Sequence, residues 1–79
     1  YYHYFYKNNN GYTNKTYYKY HYLISVNETG VLHKNKMTFV DTNGSTDIYI
    51  YKKNLIYVFD IDRNGVKTEF IPWERIKDD

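Results

Sequence analysis

Cysteine is absent from the 79 residues, proline and methionine occur once each, and glycine only four times. Without cysteine there can be neither a disulfide nor a thiolate metal site. A chain this short hides only about 60–65% of its unfolded surface, so its stability must come from the core. No apolar run approaches the roughly 18 residues of a membrane helix, and no secretory leader pattern is visible. Serine is scarce too. Ser25 and Ser45 stand in no elbow or triad-like context, so nucleophilic catalysis has no candidate and we expect no enzyme. No cofactor motif is present. The lack of cysteine fits a reducing interior, which makes cytoplasmic the expected location, with a Gram-positive surface domain the alternative.

Charge of one sign is also lacking: the formal net charge is only +2. Its distribution is uneven. Residues 1–40 hold five lysines against one glutamate, and residues 41–79 hold six basic against eight acidic side chains. An anionic partner is permitted but not required.

Aromatic residues are abundant. Tyr, Phe and Trp make up 22% of the chain, with twelve Tyr among them, and each large ring can bury roughly 150–250 Å². The hydroxyl of each Tyr also needs a partner, so a small interior cannot take all twelve and some rings must lie outside. Asn, Lys, Ile and Tyr, all with A/T-rich codons, supply 37 of the 79 residues. That composition indicates an AT-rich source genome, with a phage or mobile element among the candidates.

Every glycine closes a four-residue Asx-rich segment: Asn8–Gly11, Asn27–Gly30, Asp41–Gly44 and Asp62–Gly65. Asn and Asp close turns by bonding the backbone two residues on, and Gly accepts the positive φ at the exit. Hairpin loops of three to five residues use this chemistry. The stretches between them predict strands over Tyr1–Lys7, Tyr17–Val26, Val31–Val40, Ser45–Lys52, Leu55–Ile61 and Val66–Ile71, with Asn8–Thr16 a loop. In Tyr17–Val26, period-two alternation puts Tyr18, Tyr20, Tyr22, Ile24 and Val26 on a core face. His33–Lys36 is polar enough to bend or bulge, and Lys53-Asn54 is a tight turn. Leu55–Ile61, apolar almost throughout, reads as a central strand. Pro72 ends ladder pairing, and the tail from Trp73 forms either one helical turn or a last short strand. The expected fold is a single all-β domain over 1–79. It would be a five- to six-stranded antiparallel meander, built as a small SH3-like or Sm-like barrel or as a strongly twisted sheet.

Several motifs have plainer explanations. Asp60–Gly65 opens like a calcium loop, but the twelfth position is Ile71 rather than a bidentate Glu, so a hairpin turn is expected. His3, His21 and His33 lack metal-ligand spacing. Asn14, Asn27 and Asn43 each begin an Asn-x-Ser/Thr triplet, which in so Asn-rich a chain is expected by coincidence.

Aromatic and basic residues together offer a recognition surface. Tyr1, His3, Lys7, Tyr17, Lys19 and His21 form one group with rings expected outward. Tyr49 and Tyr51, backed by Lys52 and Lys53, form a second. The leading expectation is a non-enzymatic module that binds a protein through a Tyr-rich sheet face or edge, with homodimers by edge pairing and a phage-encoded inhibitor as a role. The alternative is single-stranded nucleic acid or an anionic nucleotide, held by stacking rings and Lys. That reading requires Lys15, Lys19, His21, Lys34, Lys36, Lys52 and Lys53 to converge on one face. A third reading is carbohydrate stacked on Tyr rings.

Overall fold

The structure, a computed structural model, describes residues 2–18 and 22–74. Eight strands follow in order: β1 (Tyr2–Lys7), β2 (Tyr12–Tyr17), β3 (Leu23–His33), β4 (Lys36–Val40), β5 (Thr46–Lys52), β6 (Leu55–Ile61), β7 (Lys67–Glu69) and β8 (Trp73–Glu74). Each of the first seven pairs antiparallel with its sequence neighbour, and β8 pairs with β6 at Leu55 and Ile56, the end of that strand which β7 leaves free. The all-β antiparallel meander is therefore present, with more strands than the sequence led us to expect. It is a twisted sheet folded over on itself. Among the described residues no ladder joins β1 to β6, β7 or β8, so the barrel alternative is not realised.

Three of the four glycine segments are hairpin loops. In the β4–β5 loop Asp41 Oδ1 accepts the amides of Asn43 and Ser45 at 2.9 and 3.0 Å. In the β6–β7 loop Asp62 Oδ1 accepts those of Asn64 and Val66, both at 2.9 Å. Gly44 and Gly65 both sit at φ 84°, the left-handed exit such loops require. This use of Asp62 accounts for the calcium-like motif. Asn8 closes the β1–β2 loop, with its amide donating to the Gly11 carbonyl at 2.8 Å. Lys53 and Asn54, at φ 52° and 66°, form the two-residue turn between β5 and β6, as both central residues of a type I′ turn must.

The fourth segment does something else. Asn27–Gly30 lies inside β3. Tyr12 faces Gly30 and Asn14 faces Asn27, so β3 carries one residue more than β2 over that interval, which is a bulge. Here Thr29 takes over a rung of the ladder. Its Oγ1 accepts the Val40 amide at 3.0 Å and lies 2.7 Å from the Val40 carbonyl. Beyond the bulge, β3 leaves β2 and pairs with β4 through Val31–His33. The polar stretch 33–36 is the hairpin between β3 and β4, turning at Lys34-Asn35. The run expected as a loop, Asn8–Thr16, contains most of β2. Its Lys-, Asn- and Thr-rich sequence hid a strand whose inward positions are polar.

The first hairpin folds across the second sheet, and side chains join the layers. Phe5 of β1 meets Tyr49 of β5 edge-on at 4.9 Å and Phe39 of β4 at 6.1 Å. His3 stacks on Trp73 of β8 with centroids 4.1 Å apart. Phe39, Tyr49 and Val58 are buried, and Phe5, Tyr12, Met37, Ile56 and Trp73 pack against them. Gly30 permits this closeness. A Cβ there would lie 2.6 Å from both Phe39 Cε1 and the Tyr12 carbonyl oxygen.

The core face assigned to Tyr17–Val26 is corrected. The run is not one strand: β2 ends at Tyr17 and β3 begins at Leu23, and the Tyr18 amide donates to the Tyr22 carbonyl at 3.0 Å. Ile24 and Val26 are exposed. Tyr20 falls outside the described residues.

Candidate functional site

The register sorts the expected site residues by face. Phe5 pairs with Asn14 and His3 with Thr16, while Tyr4 pairs with Lys15 and Tyr2 with Tyr17. The first set points into the interlayer and the second points out. His3 is therefore an inward residue, which corrects its expected outward ring. Its Nδ1 lies 3.2 Å from Thr16 Oγ1 and 3.4 Å from Asn14 Oδ1. Burial holds the imidazole below its ordinary pKa, against the opposing effect of its hydrogen bond to the Asn14 side-chain carbonyl oxygen. The outward rings of this hairpin are Tyr4, edge-on to Tyr17 at 5.3 Å, and Tyr6, with Lys15 Nζ 5.4 Å from its centroid. Tyr1, Lys19 and His21 lie outside the described residues.

Tyr49 is likewise a core residue, only 7% exposed. Its hydroxyl accepts from Asn14 Nδ2 at 3.2 Å, and burial, with Asp47 nearby, raises its pKa. Asn14, itself buried, is committed to this contact. Tyr51, two residues on, shares that face but is exposed, its hydroxyl donating to Asn54 Oδ1 at 3.0 Å. Lys52 and Lys53 are exposed beside it. The expectation of surplus rings is met: of the ten Tyr in the described residues, Tyr49 alone is buried.

Three surfaces emerge that the expected groups did not define. The first is the N-terminal half of β3. Tyr22, Leu23, Ile24, Ser25 and Val26 are all exposed, Tyr22 at 63%. β2 flanks Leu23–Asn27 on one side. Among the described residues no strand pairs on the other, because the β4 ladder covers only Val31–His33 and the end of β4, at Val40, meets no more than the Thr29 and Asn27 side chains. Apolar side chains on both faces thus flank an open backbone edge. Alternation had assigned half of this strand inward; nothing in its composition reveals that the second layer ends before reaching it.

The second surface is the outer face of the β4–β6 sheet. Cross-strand pairing aligns Ile48 with Phe59, Ile50 with Tyr57, and Thr46 with Ile61. Lys67 Nζ sits 4.3 Å from the Phe59 ring centroid and pairs with Glu69 at 3.5 Å.

The third is an open apolar pocket of about 340 Å³ between the layers. Phe5, Met37, Tyr49 and Ile56 are its more buried walls, and Leu32, Lys34, Asn35 and Tyr51 are at the rim. It opens where the β3–β4 and β5–β6 hairpins turn. Lys34, Lys36, Lys52 and Lys53 gather at this end of the sheet, while Asp41, Asp47, Asp60 and Asp62 lie at the other. Four of the seven cationic residues that the nucleic-acid reading needs therefore share one end. Lys15 lies instead over Tyr6.

At the acidic end Asp47 and Asp60 face each other across β5 and β6. Burial, then the hydrogen bond and charge of Asp60, push the Asp47 carboxyl up to about 6. Asp60 Oδ1 is shielded and has no hydrogen-bond partner among the described residues. No group of three or more His, Asp or Glu among the described residues is placed to hold a metal, and no described helix is long and apolar enough to cross a membrane. No family model matches the chain, and neither does any curated protein or any solved structure, so its function must be argued from these surfaces.

Proposed function

We propose that this protein is a non-enzymatic binding module that recognises an extended segment of a partner protein by strand addition along Leu23–Asn27. One observation carries the reading: β3 presents apolar side chains on both faces beside a backbone edge that no strand among the described residues pairs. A single exposed apolar residue needs no explanation, but a contiguous patch marks an interaction site. The buried core, Phe39, Tyr49 and Val58 among the described residues, is small for so many rings, which favours a partner that covers more of them. In strand addition, main-chain hydrogen bonds supply affinity and alternate side chains supply specificity. In a phage or mobile element such a module would act by capping a host protein, and the same edge would allow self-pairing.

The test uses extended peptides selected from a displayed library. The reading expects binding to be lost when alternate peptide nitrogens are methylated. It also expects at least tenfold weakening in Ile24→Thr/Val26→Thr, with the melting temperature nearly unchanged. Peptides indifferent to both changes would refute the strand-addition mode. Binding of single-stranded oligonucleotide that falls steeply with salt would instead favour the alternative at the lysine-rich end.

A further inference from the structure

The interlayer pocket carries an inference independent of the β3 edge, since it shares none of the residues Tyr22–Val26. Its walls are aromatic and aliphatic, its volume is about 340 Å³, and no carboxylate among the described residues lines it. An apolar cavity of about 150 Å³ suffices for benzene, so this space suits a group of about two rings. Ligand pockets are mostly apolar with a few polar groups that fix orientation. Those groups are present at the rim. Asn35 is fixed by its Nδ2 donating to the Tyr51 carbonyl at 2.9 Å and its own carbonyl accepting the Tyr51 amide at 2.9 Å. Lys34 stands beside it as the one cation of the lining among the described residues, held at φ 57° in the turn.

Charge complementarity selects the ligand. The rim cation belongs to the end of the sheet where Lys36, Lys52 and Lys53 also lie. Among the described residues the acid nearest that end by register is Glu74, opposite Leu55 on the outer face. We propose that this pocket binds a small two-ring organic monoanion, a fused or linked aryl carboxylate or sulfonate. Its rings would lie among Phe5, Met37, Tyr49 and Ile56, with its anionic group at Lys34. Tyr49 would offer a ring wall, not its hydroxyl, which Asn14 already engages.

Anilinonaphthalene sulfonate is a suitable probe, with N-phenylnaphthylamine, the same rings without the sulfonate, as its neutral counterpart. Fluorescence titrations at low salt are expected to show saturable one-to-one binding of the anion. Lys34→Asn, a residue that tolerates positive φ, should weaken the anion three- to tenfold and the neutral probe less than twofold. Raising the salt should remove most of that difference. Leu32→Trp, a rim change at a residue 43% exposed, should weaken both probes. Amide shifts in a heteronuclear spectrum should concentrate on Leu32, Lys34, Asn35 and Tyr51. The proposal is overturned if the anion and neutral probe bind equally in the parent and in Lys34→Asn. It is also overturned if Leu32→Trp affects neither probe, or if the shifts fall on Tyr22–Val26 or the outer sheet face.

Discussion

Gly30→Ala isolates the contact on which the layering depends. Gly30 is not among the positive-φ glycines of the chain, so alanine is conformationally acceptable there. By backbone entropy alone, alanine would stabilise by about 0.4–1 kcal/mol. Space decides the sign. The new methyl would meet the Tyr12 carbonyl oxygen and Phe39 Cε1, each at 2.6 Å. The first is backbone held in the β2–β3 ladder, and the second belongs to a side chain only 1% exposed, so neither yields without moving a layer. Overpacking of this kind costs about 1–3 kcal/mol, and these rigid neighbours place it at the upper end. After the entropic gain we expect a net loss of about 2 kcal/mol. For a domain this size that is roughly 8–16 °C in melting temperature. Gly65→Ala is the control. It has φ 84° and nothing within 4 Å of a new Cβ, so it should lose only the left-handed penalty of about 1 kcal/mol. In the Gly30→Ala background, Phe39→Leu should cost less than it does alone, because it removes half of the clash. Thermal melts followed by near-UV circular dichroism read all three. An unchanged or raised melting temperature in Gly30→Ala would refute the close approach of β3 to Phe39.

Other expectations concern the polar groups and the rings. Asp47 has a folded pKa raised above its unfolded value by burial and by Asp60, so the folded state holds the extra proton. Its contribution is therefore present at low pH and is lost as pH rises from about 4 through 6. His3, with its pKa lowered, works in the opposite sense, losing stability as pH falls below 6.5. The difference between parent and Asp60→Asn cancels the His3 contribution: the variant should gain melting temperature at pH 7 and gain little or nothing at pH 4. A gain equal at both pH values would sink the carboxyl-pair argument. Thr29→Val removes the hydroxyl that serves Val40 and should cost about 1–2 kcal/mol in urea unfolding, whereas Thr29→Ser should cost less than half of that. Tyr49→Ala should lose about 3–5 kcal/mol as a large-to-small core change, and Tyr51→Ala under about 1 kcal/mol. Comparable losses at both sites would mean that Tyr51 is not the exposed member of the pair.

Turn chemistry was the most legible part of the sequence. Asp41 and Asp62 bond the same two amides in their loops, and that chemistry is local, so composition alone reveals it. Asn27–Gly30 uses the same residues for a bulge, because Thr29 finds the Val40 backbone, a partner thirteen places beyond Asn27 that no local pattern discloses. The alternation of Tyr17–Val26 misled twice: the run is not one strand, since β2 ends at Tyr17 and β3 begins at Leu23, and period two identifies two faces without telling which of them another layer covers. His3 and Tyr49 carried no mark that separates an inward from an outward ring. The pocket was illegible for the same reason, as Phe5, Met37, Tyr49 and Ile56 become neighbours only when the first hairpin crosses the second sheet.

That crossing has a kinetic consequence. Among the described residues every ladder joins near neighbours along the chain, apart from the short β8 pairing, so the hairpins can zip in succession with little loop-closure entropy. The stacking of His3 on Trp73 and of Phe5 on Tyr49 spans most of the polypeptide and must wait until the meander has formed. The interlayer then belongs to the late side of the folding barrier. Truncating Phe5 should accelerate unfolding in stopped-flow chevrons and leave refolding nearly untouched, so the clasp between the first hairpin and the second sheet governs how long the native state survives rather than how fast it is reached.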